Sequence, residues 1–177
     1  MGTRHLTRVY DRTGTLKVAQ YGQWDGYPEG QGLDALRILM IPTLIERLEA
    51  NLTKVRWAEE EDIDEIYKSL YLPTDGWLTI EQGDRFTKAA PHFSRDTGVE
   101  ILKLIADTIL EELPLRDSRE FINDGLFCEW AYTVDFSQDN FQVWTEGKTI
   151  VSFKLDRLPT EDEFVAMCRK QASALVS

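Results

Sequence analysis

The stretch CEWAYTVDFSQDNFQVWTEGKTIVSFKL, residues 128–155, decides the fold of the chain. Apolar and polar residues alternate in three runs within it, at 128–134, 141–144 and 149–155. Alternation is the period of a strand that buries one face. The turn sequences SQDN and EG separate the runs, and short strands joined by such turns are typical of an antiparallel meander. We therefore predict three antiparallel strands in the C-terminal third.

The N-terminal residues show the same period. Residues 4–10 (RHLTRVY) and 15–21 (TLKVAQY) alternate on either side of a turn that ends at Gly14. Two such runs around a glycine-containing turn predict a β-hairpin. We expect the hairpin and the meander to share a single antiparallel sheet of about five strands.

Helical periodicity fills most of the middle of the chain. An apolar stripe over residues 33–52 is interrupted by Pro42, which predicts a kink or two separate helices. Residues 59–70 and 97–112 each have one apolar face and predict amphipathic helices. Residues 74–95 are mixed and polar, and we interpret them as loop with short helix.

The last helix has a clear start signal. Thr160 and Glu163 form a capping box, which opens a helix that runs to about residue 174. With helices packed on one sheet, the predicted fold class is α+β. The length of 177 residues suits one domain, residues 1–177, with 53–95 as a helical or loop insert.

Composition excludes several classes of function. Acidic residues outnumber basic ones, 31 to 20, for a net charge of −11, so direct binding to nucleic acid is not expected. The sequence has neither an apolar run of membrane-spanning length nor a secretion signal, which predicts a cytoplasmic protein. Cys128 and Cys168 are interpreted as buried free thiols. With only two histidines the chain is not expected to have a His-rich metal site, although a carboxylate site stays open. We predict no resident metal and no cofactor.

The segment QYGQWDGYPEGQG, residues 20–32, is the strongest candidate for chemistry. It places aromatic, amide and acidic side chains between glycines, which allow a backbone to approach a ligand closely. Flat aromatic faces suit a base or a sugar, and amides give directional hydrogen bonds. Its glycine content excludes a regular helix or strand over 22–32. The alternative is a structural loop that closes the edge of the core.

Residues of the first strand are expected to join this loop. We predict that Arg4 lies opposite the region of Tyr21 in the hairpin, so that both converge with His5 and Asp25. Arg4 would bind phosphate, and His5 or Asp25 would transfer a proton. The alternative is a solvent-facing pair of Arg4 and Asp25. The candidate ligand-binding residues are Arg4, His5, Tyr21, Gln23, Trp24, Asp25 and Tyr27.

A second candidate surface is acidic. Glu59, Glu60, Glu61 and Asp62 begin the helix predicted over 59–70. Such a run can contact a basic protein partner, bind a metal or imitate the phosphates of DNA. The alternative is a solvated helix start that interacts favourably with the helix dipole.

Three parts of the chain resemble a family of uncharacterised proteins from phages, prophages and bacteria. They are GTR at residues 2–4, VAQYGQWDGYPEGQG at 18–32 and EWAYTVD at 129–135. The family likewise has a GTR-type strand, a YP-containing aromatic loop and an EWAY-type strand ahead of a short hairpin. The resemblance covers both ends of the chain but not residues 53–95. It implies a phage-related setting in a host cytoplasm, without a particular activity or catalytic residue.

Two hypotheses on function follow. The first is a non-enzymatic binding protein, a phage-borne modulator of a host or defence protein that acts through the acidic surface. The alternative is a protein that binds a small, nucleotide-like molecule, or a hydrolase. In either case the site would consist of residues 20–32 with Arg4 and His5. The sequence has no recognised catalytic motif, so the question of enzymatic activity stays open. The implied partner is a host protein or a small-molecule ligand.

Overall fold

Seven strands and six α-helices form the described part of the chain, residues 2–177 of a computed structural model. The strands are β1 (His5–Tyr10), β2 (Leu16–Gly22), β3 (Val55–Trp57), β4 (Leu113–Leu115), β5 (Trp130–Asp135), β6 (Asn140–Thr145) and β7 (Lys148–Lys154). The helices are α1 (Leu33–Leu39), α2 (Leu44–Asn51), α3 (Glu60–Ser69), α4 (Ile80–Ala89), α5 (Ile101–Asp107) and α6 (Glu161–Ser173).

The main sheet contains both predicted strand groups. β1 and β2 form the hairpin, and β5, β6 and β7 form the meander. The five strands lie in the order β2-β1-β5-β6-β7. The prediction of a purely antiparallel sheet is wrong, because β1 and β5 pair in parallel, from His5 opposite Trp130 to Tyr10 opposite Asp135. Alternation indicates which side chains share a face but not the direction of a neighbouring strand, and the long helical middle of the chain supplies the crossover that a parallel pair needs.

The second sheet is not predicted from the sequence. β3 and β4 pair in parallel, and each has three residues, too few for alternation to be visible. The helix predicted over 97–112 is correspondingly too long. α5 ends at Asp107, because Thr108 takes up extended backbone that leads towards β4.

Most helix boundaries follow the sequence. Pro42 separates α1 from α2, as predicted. The capping box at the start of α6 is confirmed: the Glu163 N–H donates to Thr160 Oγ1 at 3.2 Å, and the Thr160 N–H donates to the Glu163 carboxylate at 2.9 Å.

Part of the glycine-rich segment is helical, contrary to prediction. Pro28–Gly32 forms a helical turn that leads into α1, with a kink at Gly30, whose φ of −99° and ψ of −105° are not helical. Proline at the first helical position has the required φ and lacks only an N–H that would be unpaired anyway, so Pro28 starts the turn in spite of the glycines after it.

The main core lies on one face of the five-stranded sheet, where α1, α2, α5 and α6 pack on it. Its fully buried members include Val9, Val18, Leu36, Ile105, Tyr132 and Phe164. The opposite face carries a smaller cluster formed by Leu6, Ala19, Cys128 and Ala131. Residues from both ends of the chain therefore meet on each face.

The segment around α3 and α4 has a small apolar cluster of its own, formed by Leu72, Phe86, Ala90 and Phe93. No residue of α3, a helix that the structure describes in full, is buried. The assignment of residues 53–95 as an insert stays a prediction. Among residues 2–177, no helix is both long and apolar enough to cross a membrane.

Candidate functional site

A row of buried polar side chains interrupts the core face of β1 and β2. His5, Thr7 and Gln20 are 1%, 1% and 5% exposed, and we call them the buried polar row. Thr7 lies opposite Gln20 in the hairpin, and His5 lies opposite Gly22. Both ring nitrogens of His5, Thr7 Oγ1 and Gln20 Oε1 have no hydrogen-bond partner within the described chain. An unpartnered buried polar atom costs about 1–3 kcal/mol, so four of them in one place call for an explanation.

Three glycines, two from the loop and one from the start of the segment before α5, surround the side chain of His5. A Cβ atom on Gly22 would lie 2.0 Å from His5 Cε1, and one on Gly98 would lie 2.8 Å from His5 Nε2. One on Gly26 would lie 2.9 Å from the His5 Cβ. Gly98 also has a φ of +50°, a region in which side chains are rarely found. Two glycines of the loop therefore make room for His5, which is a structural reason for their presence.

Burial keeps His5 neutral. Loss of hydration lowers the pKa of His5 from 6.5 to about 4, although the nearby Gln31 amide and Asp25 carboxylate both act to raise it. Gln31 is itself held in place, because its Oε1 accepts a hydrogen bond from the Val99 N–H at 3.0 Å. At neutral pH the imidazole therefore has one donor and one acceptor nitrogen rather than a positive charge.

The loop itself is fixed by hydrogen bonds to its surroundings. The Gly26 N–H donates to the Thr3 carbonyl at 2.9 Å, and the Tyr132 hydroxyl donates to the Gly26 carbonyl at 2.6 Å. Trp24 Nε1 donates to Asp96 at 2.9 Å, and the Tyr27 hydroxyl donates to Asp25 at 3.3 Å. The loop is therefore ordered, and part of its polar chemistry is engaged internally.

The predicted convergence of Arg4, His5, Tyr21 and Asp25 is only partly formed. Asp25 lies near enough to His5 to affect its pKa. Tyr21 occupies the other face of the sheet, where its ring packs edge-on against Phe121 at 4.9 Å between centroids. The Arg4 guanidinium lies over the Phe127 ring at 4.4 Å, and Arg4 makes no ion pair with a carboxylate of residues 2–177, Asp25 included.

Tyr21 and Gln23 remain side by side. The Tyr21 hydroxyl donates to Gln23 Oε1 at 2.5 Å. This contact orients the Tyr21 ring at the point where β2 ends. The Tyr21 hydroxyl, one of the predicted ligand-binding groups, is therefore fixed beside the outer edge of the sheet.

A cleft opens at that outer edge, where β2 is the end strand of the sheet and has only an isolated bridge between Ala19 and Asp117. The Ser118 N–H donates to the Ala19 carbonyl at 3.0 Å, and the Gln23 N–H donates to the Arg95 carbonyl at 3.0 Å. These contacts cover the edge at two points and leave a cleft of about 370 Å³ between them. We call it the β2 cleft, and its lining is Gln20, Tyr21, Phe93, Ser94, Arg95, Arg116 and Ser118.

The β2 cleft has a positive charge that the rest of the molecule does not neutralise. Arg95 and Arg116 are exposed, and neither makes an ion pair within residues 2–177. Arg116 is held over the Phe93 ring at 5.6 Å. Two free guanidinium groups in one cleft of a chain with net charge −11 form a local site for anions.

Gln20 connects the cleft to the buried polar row. Its Nε2 donates to the Ser94 carbonyl at 3.2 Å, while its Oε1 is the unpartnered acceptor described above. Gln20 lines the cleft and also lies opposite Thr7 across the hairpin. Gln20 is therefore shared between the wall of the β2 cleft and the buried polar row.

A larger cavity elsewhere is less suited to an anion. It has a volume of about 590 Å³ and is lined by residues of α2, the turn before β6 and the end of β7. Its arginine, Arg12, is already paired with Glu49 at 2.7 Å and with Asp139 at 2.9 Å. The acidic lining and the neutralised arginine favour the smaller β2 cleft as the ligand site.

The acidic surface predicted at 59–62 is partly committed to local structure. Glu59 and Asp62 form a capping box, and Asp62 also accepts two hydrogen bonds from Arg56, at 2.7 and 2.8 Å. These contacts lower the pKa of Asp62 to about 2. Glu60 and Glu61 are exposed at the start of α3.

The two cysteines and possible clusters of metal ligands are the remaining candidates for chemistry. Cys128 and Cys168 are buried, and burial raises the pKa of each thiol to about 12, so neither is an activated nucleophile. Within the chain from residue 2 to 177, no three His, Cys, Asp or Glu side chains lie close enough together to hold a metal ion.

Comparisons of the chain with models of protein families, with curated proteins and with solved structures found no match. The resemblance to phage and bacterial proteins therefore stays a prediction. The geometry of the site is the basis for any functional inference.

Sequence reasoning missed Arg95, Arg116, Ser94 and Ser118. They lie more than 70 residues from β2 in the sequence, in segments without a clear period. One signal of the buried polar row is present in the sequence. Strict alternation places His5 and Thr7 on the same face of β1 as Val9, so these two polar side chains must point towards the core with Val9.

Proposed function

We propose that this protein binds a small anionic ligand of nucleotide-like chemistry in the β2 cleft. The observation that carries the proposal is the pair of arginines, Arg95 and Arg116, that line one cleft and make no ion pair within residues 2–177. A ligand with a negatively charged group would pair with both of them. The proposal develops the small-molecule hypothesis and moves its centre from Arg4 to Arg95 and Arg116.

Each wall of the cleft supports a part of such a ligand. The forked guanidinium groups of Arg95 and Arg116 suit phosphate oxygens, which they can contact through two parallel hydrogen bonds. The ring of Tyr21 offers apolar surface for a base or a sugar. The hydroxyls of Ser94 and Ser118 and the amide of Gln20 supply directional hydrogen bonds. The volume of about 370 Å³ lies in the range of small-molecule sites.

The test is thermal unfolding with a panel of AMP, ATP, ADP-ribose, cyclic dinucleotides and inorganic phosphate. A compound at about 100 times its Kd adds about 2.7 kcal/mol to the free energy of unfolding, which raises the Tm of a chain of this size by roughly 5–10 °C. We expect such a shift for at least one compound, and we expect Arg95→Ala and Arg116→Ala each to reduce it strongly.

Arg157→Ala is the matched control. Arg157 is exposed and has no ion pair within the described residues, but it lies outside the cleft. Its loss should leave the shift unchanged. The proposal is wrong if no compound raises the Tm of the wild type, or if all three variants respond like the wild type.

A further inference from the structure

The segment from α3 to α4 exposes large apolar side chains to an unusual degree. Tyr71, Trp77 and Ile80 are 91%, 97% and 87% exposed. In the described chain, only two other large apolar side chains, Ile109 and Val176, are more than 85% exposed, which makes five in all. Three of the five therefore lie within ten residues of one another. A Trp that is almost wholly in water is unfavourable by the hydrophobic effect unless something covers it.

The same segment holds much of the negative charge of the protein. Residues 59–81 contain eight acidic residues and one basic residue, a net charge of −7 out of −11 for the whole chain. Asp62 is neutralised by Arg56, but Asp64, Glu65, Asp75 and Glu81 are exposed. None of these four makes an ion pair with another residue between 2 and 177.

Internal packing does not account for this surface. The apolar cluster of the segment is formed by other residues, among them Leu72 and Phe86, which are buried. Tyr71 has a φ of +54°, so it follows α3 in a left-handed conformation, and its ring is left in solvent. The core therefore forms without Tyr71, Trp77 and Ile80.

We propose that the α3–α4 surface, defined by Tyr71, Trp77, Ile80 and the exposed carboxylates of residues 59–81, docks a basic amphipathic helix of a protein partner. The negative charge of this surface indicates that the bound segment is basic. Lys and Arg side chains of such a helix would pair with the carboxylates, and its apolar face would cover the exposed aromatic and aliphatic side chains. Trp and Tyr are over-represented among the residues that dominate the binding energy of protein interfaces. This inference is independent of the β2 cleft and requires no ligand there.

The experiment measures binding of a dye-labelled 15-residue peptide of alternating Lys and Leu pairs, designed as a basic amphipathic helix, by fluorescence anisotropy. Two matched peptides replace Lys by Glu or Leu by Ser. We expect saturable binding of the Lys/Leu peptide alone. Loss of an anchor at the centre of an interface is worth about 2 kcal/mol, so Trp77→Ala should weaken binding about 30-fold. Raising the salt from 50 to 500 mM should also weaken it, because the charges are exposed.

Leu126→Ala is the control variant, because Leu126 is 77% exposed in a different part of the chain. It should bind the Lys/Leu peptide like the wild type. Absence of binding by the wild type, equal binding by Trp77→Ala, or equal binding of the Lys/Ser peptide would each overturn the proposal. Sedimentation velocity adds one further outcome: a dimer that Trp77→Ala disrupts would make a second copy of this chain the occupant, which also overturns it.

Discussion

The core face of β1 and β2 has two ends that differ in chemistry although both are buried. At one end Val9 and Val18 are 0% exposed and belong to the main apolar cluster. At the other end His5, Thr7 and Gln20 are almost equally buried, yet four of their polar atoms have no partner in residues 2–177. The same strands thus carry one end that stabilises the fold and one that costs stability. The proposed ligand site lies beside the end that costs stability.

The largest expected effect is in the main apolar cluster, to which Val9 and Val18 at the apolar end belong. Leu36, on α1, is 0% exposed in the main cluster, and Leu36→Ala should lower the free energy of unfolding by about 2–5 kcal/mol. His5→Leu, a change of similar size at the polar end, should lower it by less than about 1.5 kcal/mol, because it removes two unpartnered nitrogens while keeping the volume. Urea unfolding measures both. Equal losses would mean that the two ends do not differ in kind.

The dependence of stability on pH sharpens the comparison. Because the pKa of His5 is about 4 in the folded protein and 6.5 ordinarily, the unfolded chain binds a proton in that interval and the folded chain does not. Stability should therefore fall as the pH falls from 6.5 to 4, by up to about 3 kcal/mol, and His5→Leu should remove this part of the fall. Asp62, with a pKa of about 2, contributes a further loss only below its ordinary pKa of 3.8. Identical pH profiles for wild type and His5→Leu would contradict the burial of a neutral imidazole.

The glycine enclosure of His5 gives an intermediate effect. Gly22→Ala places a Cβ 2.0 Å from His5 Cε1 and should destabilise the protein by about 1–3 kcal/mol. Gly83→Ala, in α4, meets no atom of residues 2–177 within 4 Å and should stabilise it by up to about 1 kcal/mol. In the His5→Ala background the cost of Gly22→Ala should largely disappear. A cost that persists there would show that the glycine serves the backbone and not the imidazole.

The smallest expected effect compares two buried threonines. Thr7 and Thr145 are 1% and 5% exposed, but Thr145 donates to the Glu129 carbonyl at 2.7 Å, whereas Thr7 Oγ1 has no partner in the described chain. Thr145→Val should lower the free energy of unfolding by about 1 kcal/mol, and Thr7→Val should raise it by about the same amount. Chemical denaturation distinguishes the two signs. Destabilisation by both changes would mean that Thr7 has a partner in solution.

Local sequence patterns predicted the parts of the fold that depend on local physics. Alternation was sufficient for the hairpin and the meander, and Pro42 and Thr160 marked helix boundaries, because each of these signals acts within a few residues. The parallel pairing of β1 with β5 depends on the path of the whole middle of the chain, which no local pattern contains. The sequence does not point to the β2 cleft for the same reason, because Arg95 and Arg116 meet β2 only through the tertiary fold. The ligand-binding role of residues 20–32 stays a prediction.

The most direct test of the ligand site is an NMR titration of the ¹⁵N-labelled protein with the compound that gives the largest rise in Tm. We expect the largest chemical-shift changes on the backbone amides of Gln20, Tyr21, Ser94 and Ser118, which line the β2 cleft. These changes should be lost in Arg116→Ala and kept in Arg157→Ala. Changes centred on the larger cavity beside Arg12, or spread evenly over the protein, would contradict the proposed ligand site.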